Sequence, residues 1–163
     1  MSSAGELKLE WWPPGSVPAP ASIVWCNFPD HLKPGVPGPK SRPGLVLKVR
    51  YAAREPDGRF LVQIAYGTTQ LKLGRRDLDF TIGNSATLRI LRLPAATRFD
   101  LDNILWLPWA RPFFNPRNMD DRYSTPTMSV LPESVQQSLR WTMALRAKNG
   151  QDAAFKAEPP VGA

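Results

Sequence analysis

The sequence has a single cysteine, Cys26, and a single histidine, His31. One cysteine cannot form an intramolecular disulfide, and one histidine excludes a multi-histidine metal centre. No cluster of cysteine and histidine has the spacing of zinc ligands. Because Cys26 lies in an apolar, strand-like run, we expect a buried, inert thiol. These shortages predict a reduced protein that works without a metal or another cofactor, and they offer no Cys–His or Ser–His–Asp set for nucleophilic catalysis.

Acidic residues are also few, with 14 Asp and Glu against 21 Lys and Arg, a formal net charge of +7 and a pI near 10.0. Most of the basic residues are arginine, which binds phosphate through paired hydrogen bonds. Such a charge either attracts a polyanion or simply maintains solubility, and composition leaves both open. The chain has neither a long apolar run nor an apolar leader, so we expect no signal peptide, no membrane contact and a cytoplasmic location.

Proline is abundant: 18 of the 163 residues are proline, which is about twice the average share of about 5%. The prolines cluster near the ends and in irregular stretches. We therefore predict a Pro-rich N-terminal extension over 1–20, a single domain over 21–150 and a flexible tail over 151–163. Within the extension, Trp11 and Trp12 are expected to pack on the edge of the domain or at a dimer seam.

Apolar and β-branched runs bounded by turn residues predict a mainly β protein. The longer strands are expected at 22–28, 44–52 and 59–66, and the shorter ones at 77–82, 86–93 and 103–109. Asp57-Gly58 predicts a hairpin between the second and third strands. One helix is predicted at 132–147, with a buried stripe formed by Val135, Leu139, Thr142, Met143 and Arg146 and widened by Trp141 and Leu145. The fold class is thus mainly β with a C-terminal helix (α+β), built on a small, twisted, barrel-like sheet.

Arg42 precedes Pro43, which favours extended backbone and should place the guanidinium at the end of the sheet. The third strand is expected to end at Gly67, and Thr68 follows in the turn. If the two strands pair through the hairpin, Arg42 and Thr68 share one edge, with a bulge or a longer loop absorbing the uneven count. With Lys72, they would form a phosphate cradle. Alternatively, Thr68 satisfies the turn backbone, and Arg42 pairs with a surface carboxylate.

Four segments follow one another over roughly residues 20–110: "SIVWCNFPD", a Pro/Gly-rich loop, "KSRPGLVL" and "YGTTQLK". In order and spacing they resemble the MazF/PemK-like family of toxin endoribonucleases, in a longer divergent subgroup. The resemblance implies an SH3-like small β-barrel of the MazF/PemK/CcdB-like type that forms a homodimer. It also implies a cognate antitoxin protein as partner, and metal-independent cleavage of single-stranded RNA by attack of the ribose 2′-hydroxyl on the neighbouring phosphate.

The resemblance assigns Arg42 to stabilising charge on the reacting phosphate and Thr68 to positioning that phosphate. It implies RNA contacts for four neighbouring residues, Lys40, Thr69, Gln70 and Lys72. Many relatives carry an acidic residue where this chain has Asn27, so the candidates for the general base are Asn27, Asp30 and His31. The missing acidic residue favours an alternative, in which a catalytically inactive module of this family binds RNA, DNA or a protein partner without cutting.

Aromatic and basic residues in the second half leave two interpretations open. Four aromatic side chains either stack unpaired bases or belong to the core or a dimer interface, namely Trp106, Trp109, Phe113 and Phe114. Three arginines that follow either line an RNA path or solvate a loop, namely Arg111, Arg117 and Arg122.

Overall fold

The computed structural model describes residues 7–52, 58–71, 78–117 and 125–159. In chain order its elements are β1 Glu10–Trp11, β2 Ser22–Cys26, β3 Arg42–Tyr51, β4 Phe60–Thr68, β5 Phe80–Ile82, α1 Ser85–Leu91, β6 Thr97–Pro108, β7 Ala110–Arg111, β8 Thr127–Val130, α2 Glu133–Lys148 and α3 Ala153–Lys156. Strands β5-β6-β4-β3-β2-β8 form an antiparallel sheet that curls into a half barrel. The predicted class, mainly β with a C-terminal helix, is confirmed.

Both faces of this sheet are covered, because β2, β3 and β4 bury successive side chains on alternate sides. The helix face carries Ile23, Leu45 and Ala65, which pack with Leu91 of α1 and Leu139 of α2. The aromatic face carries the other set of alternating residues, Val24, Cys26, Val46 and Ile64, together with the rings of Trp12, Phe28, Tyr66, Trp109 and Phe114.

Strands β3 and β4 pair as the sequence predicts, with Gly44 opposite Tyr66. A register shift between Val46 and Lys48 absorbs the uneven count along the two strands. Beyond Gly44 the backbones approach closely, since a Cβ on Gly67 would lie 2.2 Å from the Pro43 oxygen. Gly67 is therefore required by space at this junction. Asp57 of the predicted hairpin turn lies outside the described residues.

The prediction of a strand at 86–93 is wrong, because this segment contains the helix α1. The Asn84 side chain caps it, accepting hydrogen bonds from the N–H groups of Ala86 (3.0 Å) and Thr87 (3.1 Å). Leu91 is fully buried, whereas Ile90 is 64% exposed. The apolar residues of this short segment satisfy both a twofold and a helical period, and the cap decides in favour of the helix.

The C-terminal helix is confirmed, as α2 begins at Glu133 and ends at Lys148. Leu139 and Arg146 are buried, and Val135 and Met143 pack against the helix face, in agreement with the predicted stripe. Trp141 was expected to widen the stripe, but it is 78% exposed. It follows Leu139 by two positions, and residues two apart on a helix do not share a face.

Both ends of the chain contact the domain beyond its predicted bounds of 21–150. Strand β1 pairs with β7, and Trp12 donates a hydrogen bond from Nε1 to the Phe114 oxygen at 3.0 Å, so the edge packing expected of this tryptophan is confirmed. Part of the segment predicted as a flexible tail forms α3, which packs on β6. Within the described ranges, no helix combines the length and apolarity needed to cross a lipid bilayer.

Candidate functional site

A cleft of about 340 Å³ opens on the aromatic face, where the loop after β2 leads into β3. Its walls bring together four residues that the sequence analysis singled out, Asp30, His31, Lys40 and Arg42. The remaining lining residues are Phe28, Pro29, Pro39, Tyr66 and Asn103.

Arg42 is the first residue of β3 and lies opposite Cys26 of β2. Its side chain is half-buried and forms no hydrogen bond or ion pair with any residue of the described ranges. Lys40, which is exposed, likewise has no such partner there. The described residues therefore do not provide the surface carboxylate considered for Arg42, and the two cations give the cleft a positive potential suited to phosphate.

The wall of the cleft is aromatic beside these cations. The rings of Phe28 and Tyr66 lie with their centroids 5.3 Å apart and are tilted by 59°. Asn103 joins them because β6 shifts register between Asp100, opposite Tyr66, and Ile104, opposite Ala65. Sequence analysis missed both Tyr66 and Asn103. Strand alternation could have indicated Tyr66, two residues before Thr68, whereas the bulge that places Asn103 has no local sequence signal.

Asp30 and His31 stand at the rim of the cleft. The Nδ1 atom of His31 is 3.5 Å from Oδ1 of Asp30, and the two side chains are 81% and 61% exposed. The same Asp30 oxygen accepts a hydrogen bond of 2.9 Å from the Leu32 N–H, which fixes the carboxylate in a turn. A carboxylate beside one ring nitrogen of an imidazole favours one tautomer and leaves the other ring nitrogen available as a proton acceptor.

Asn27 does not line the cleft. Its amide donates from Nδ2 to the Gly38 oxygen at 3.1 Å, and its Oδ1 accepts from Nδ2 of Asn115 at 3.3 Å. The first bond joins the start of the loop that carries Asp30 to Gly38, and the second joins it to the segment after β7. Asn27 therefore positions the loop, and among the three candidates for the general base only Asp30 and His31 reach the cleft.

Thr68 ends β4, and extending the β3–β4 register by two residues from Gly44 and Tyr66 places it opposite Arg42. The sequence expectation that the two share one edge of the sheet is confirmed. Thr68 is buried and does not line the cleft, and its Oγ1 accepts a hydrogen bond of 3.1 Å from the Gln70 N–H. The side chain thus satisfies the turn backbone, as the alternative interpretation proposed.

Arg98 of β6 holds the turn after Thr68 in place. This buried arginine donates from Nε to the Gln70 oxygen at 3.2 Å and from Nη1 to Oδ2 of Asp79 at 3.0 Å. Thr69 and the side chain of Gln70 remain exposed. Lys72 lies outside the described residues.

The aromatic residues of the second half mostly form core. Trp109, Phe113 and Phe114 are buried on the aromatic face, so the core interpretation holds for them. Trp106 is half-buried, and its Nε1 donates to the Ala157 oxygen at 2.8 Å. The guanidinium of Arg111 lies 4.6 Å from the Trp12 ring centroid, and that of Arg117 lies 5.2 Å from the Trp25 centroid. Arg122 falls outside the described ranges.

The groups available for chemistry are therefore those of the cleft. Cys26 is buried as expected, and burial raises the pKa of its thiol, which stays protonated. Within the described part of the chain, no group of three or more His, Cys, Asp and Glu side chains could hold a metal ion. No family model and no curated protein sequence matches this chain.

Proposed function

We propose that the chain is a metal-independent endoribonuclease of the MazF/PemK toxin type, which cleaves single-stranded RNA by attack of the ribose 2′-hydroxyl on the adjacent phosphate. One observation carries the proposal: Arg42, which has no partner among the described residues, shares a cleft with His31 and Asp30. The proposal includes an SH3-like barrel that acts as a homodimer in the cytoplasm and is inhibited by a cognate antitoxin. The curled antiparallel sheet and the helix that follows β8 are compatible with it.

In this mechanism RNA supplies the nucleophile, so the protein needs only charge stabilisation and proton transfer. His31 accepts the proton of the 2′-hydroxyl, with Asp30 orienting the imidazole ring. The 2′-oxygen bonds to phosphorus, and the bond to the 5′-oxygen breaks as solvent water gives that oxygen a proton. Arg42 balances the charge that accumulates on the phosphate oxygens, and Lys40 binds a neighbouring phosphate. The products are a 2′,3′-cyclic phosphate and a 5′-hydroxyl end.

Thr68 retains a role in this scheme, because its observed hydrogen bond uses the oxygen as acceptor and leaves the hydroxyl proton free to donate. Because Thr68 lies opposite Arg42, its hydroxyl is at the same end of the β3–β4 pair as the guanidinium. Thr69 and Gln70, which are exposed on the same turn, are available to contact the RNA backbone.

The first experiment incubates long single-stranded RNA with the purified protein in EDTA and compares Arg42→Ala with Arg50→Ala. Arg50 is an exposed arginine on the same strand outside the cleft, so its loss removes equal charge without touching the site. We expect discrete cuts with 5′-hydroxyl ends. Removing Arg42 should lower the rate about 10²–10³-fold, the usual cost of losing one oxyanion donor, and removing Arg50 should leave it unchanged.

Cutting that survives in the Arg42→Ala protein would contradict the assignment of the cleft. An equal loss in both variants would attribute the effect to net charge rather than to a site. The ends of the products provide a separate check, because a 3′-hydroxyl product would require a water nucleophile and a different mechanism.

A second candidate function is binding of nucleic acid without cleavage. It is favoured by Asn27, which stands where many members of the proposed family carry an acid and is already engaged with Gly38 and Asn115. In this case Lys40 and Arg42 would hold the RNA backbone, and no product would form. RNA retention by wild-type protein that produces no cuts would select this function.

A further inference from the structure

Three polar side chains form a row across the middle of the sheet, on the helix face and therefore on the side away from the cleft. Lys48 of β3 lies opposite Gln63 of β4, and Gln63 lies opposite Trp106 of β6. Register shifts in β3 and β6 bring Lys48 and Trp106 onto the same side as Gln63. We call these three residues the polar row.

Within the described ranges, the polar row donates hydrogen bonds only to main-chain carbonyls of one short segment. Lys48 donates from Nζ to the Phe155 oxygen at 2.6 Å, and Trp106 donates from Nε1 to the Ala157 oxygen at 2.8 Å. Gln63 donates from Nε2 to the oxygens of Ala154 (3.2 Å) and Phe155 (3.0 Å). Residues 153–157, which we call the strap, are thus recognised through their backbone. The Lys48 ammonium also lies 4.1 Å from the Phe155 ring centroid, so an aromatic residue is favoured at that position.

The strap does not saturate the site. Gln63 is fully buried, yet its Oε1 has no hydrogen-bond partner among the described residues. Such an atom favours a ligand that can donate to it, because a buried unpaired acceptor is costly. Beside the strap, a pocket of about 290 Å³ remains open between Phe155 and α2. Its lining is largely apolar and includes Ala21, Val46, Leu47, Leu139 and Met143.

The strap is also suited to detachment. Its helix α3 has only four residues and no side-chain cap. A helix of this length is not stable by itself. Gly150, with φ of +67°, follows the end of α2 and separates the strap from that helix. Ala153, Lys156 and Ala157 are exposed, so little apolar surface holds the segment in place.

We propose that the polar row is a peptide-binding site that the strap occupies in cis, and that its partner is a polypeptide segment of matching chemistry. This segment presents main-chain carbonyls to Lys48, Gln63 and Trp106, an aromatic side chain to Lys48, a side-chain donor to Gln63 Oε1 and an apolar side chain to the open pocket. Binding displaces the strap. The site faces away from the cleft and does not rest on the proposed ribonuclease activity.

The test uses the full-length protein and a fluorescein-labelled peptide with the sequence of residues 151–159. Anisotropy titrations compare wild type with Phe155→Ala, which weakens the strap in cis while the labelled peptide keeps its phenylalanine. Because a tethered segment competes at a millimolar effective concentration, we expect the variant to bind the peptide about tenfold more tightly than wild type. Trp141→Ala removes an exposed aromatic of α2 outside the site and should behave as wild type.

A peptide series with Ala154→Ser or Ala154→Asn supplies a donor for Gln63, and we expect at least one of them to bind more tightly than the parent. In the Phe155→Ala protein, adding Lys48→Met or Gln63→Ala should abolish binding. Because Gln63 is buried, its replacement could impair folding. Lys48 is only half-buried, so the Lys48→Met variant provides the test in that case.

Hydrogen exchange in wild-type protein provides a second measurement, since the amides of residues 153–157 should exchange faster when excess peptide is added. Equal peptide affinity in wild type and Phe155→Ala would overturn the proposal. So would binding that survives the Lys48 change, or strap amides whose exchange the peptide does not alter.

Discussion

Cys26 and Arg42 are direct cross-strand neighbours, but their environments differ completely. Cys26 is 1% exposed and packs among the apolar side chains of the aromatic face, where desolvation raises the pKa of the thiol. Arg42, at the strand end, reaches the cleft. A step from one strand to its neighbour thus separates an inert group from a group available to bind phosphate.

The buried thiol predicts a loss of stability at alkaline pH. Because the folded-state pKa of Cys26 is raised, its contribution is complete below the unfolded pKa of about 9.0 and is lost as the pH rises above it. The free energy of unfolding should fall by up to about 1.4 kcal/mol per pH unit from this group alone. Urea denaturation of wild type and Cys26→Ala over this range measures the difference. Equal slopes in both proteins would show that the thiol ionises in the folded state.

At the scale of elements, periodicity was a sound guide where a segment is long and a poor guide where it is short. The sixteen residues of α2 repeat their apolar positions often enough to identify a helix. The seven residues of α1 do not, and the deciding feature is one capping side chain, that of Asn84. A local hydrogen bond can therefore outweigh an ambiguous apolar pattern.

Replacing Asn84 with alanine should destabilise the protein by about 0.5–2 kcal/mol, because two N–H groups at the start of α1 lose their acceptor. Ser85→Ala, one residue later at an exposed helical position, is the matched control and should change little. Thermal or urea unfolding checks both. If the two variants were equally stable, the cap would not be what holds α1 in place.

At the scale of the whole molecule, the net charge is +7, but the basic side chains differ in how available they are to bind a polyanion. Arg98 and Arg146 are buried in ion pairs with Asp79 and Asp102. Several other cations rest on tryptophan rings, namely Arg50, Arg59, Arg111 and Arg117. Lys40 and Arg42 have no such contact with the described residues and both line the cleft, so we expect them to contribute most to polyanion binding there.

This charge distribution predicts how RNA affinity depends on salt. The logarithm of the affinity for single-stranded RNA should fall linearly with the logarithm of salt concentration, with a slope of about −0.7 for each phosphate neutralised. Lys40→Ala should reduce the slope by about 0.7, whereas Lys148→Ala, at the exposed end of α2, should not. Anisotropy titrations at several salt concentrations measure both. Identical slopes in the two variants would indicate that RNA binds outside the cleft.

By itself, the sequence determined the features that depend on neighbours along the chain. The β3–β4 pairing, the position of α2, the burial of Cys26 and the shared edge of Arg42 and Thr68 all follow from local patterns and turn residues. Only the tertiary structure decided which side chains meet across the chain. The bulge that brings Asn103 to Tyr66, the contact of Asn27 with Asn115 and the bond from Lys48 to Phe155 join distant segments. Such contacts depend on register and on packing of the whole sheet, and short stretches of sequence carry no periodicity that specifies them.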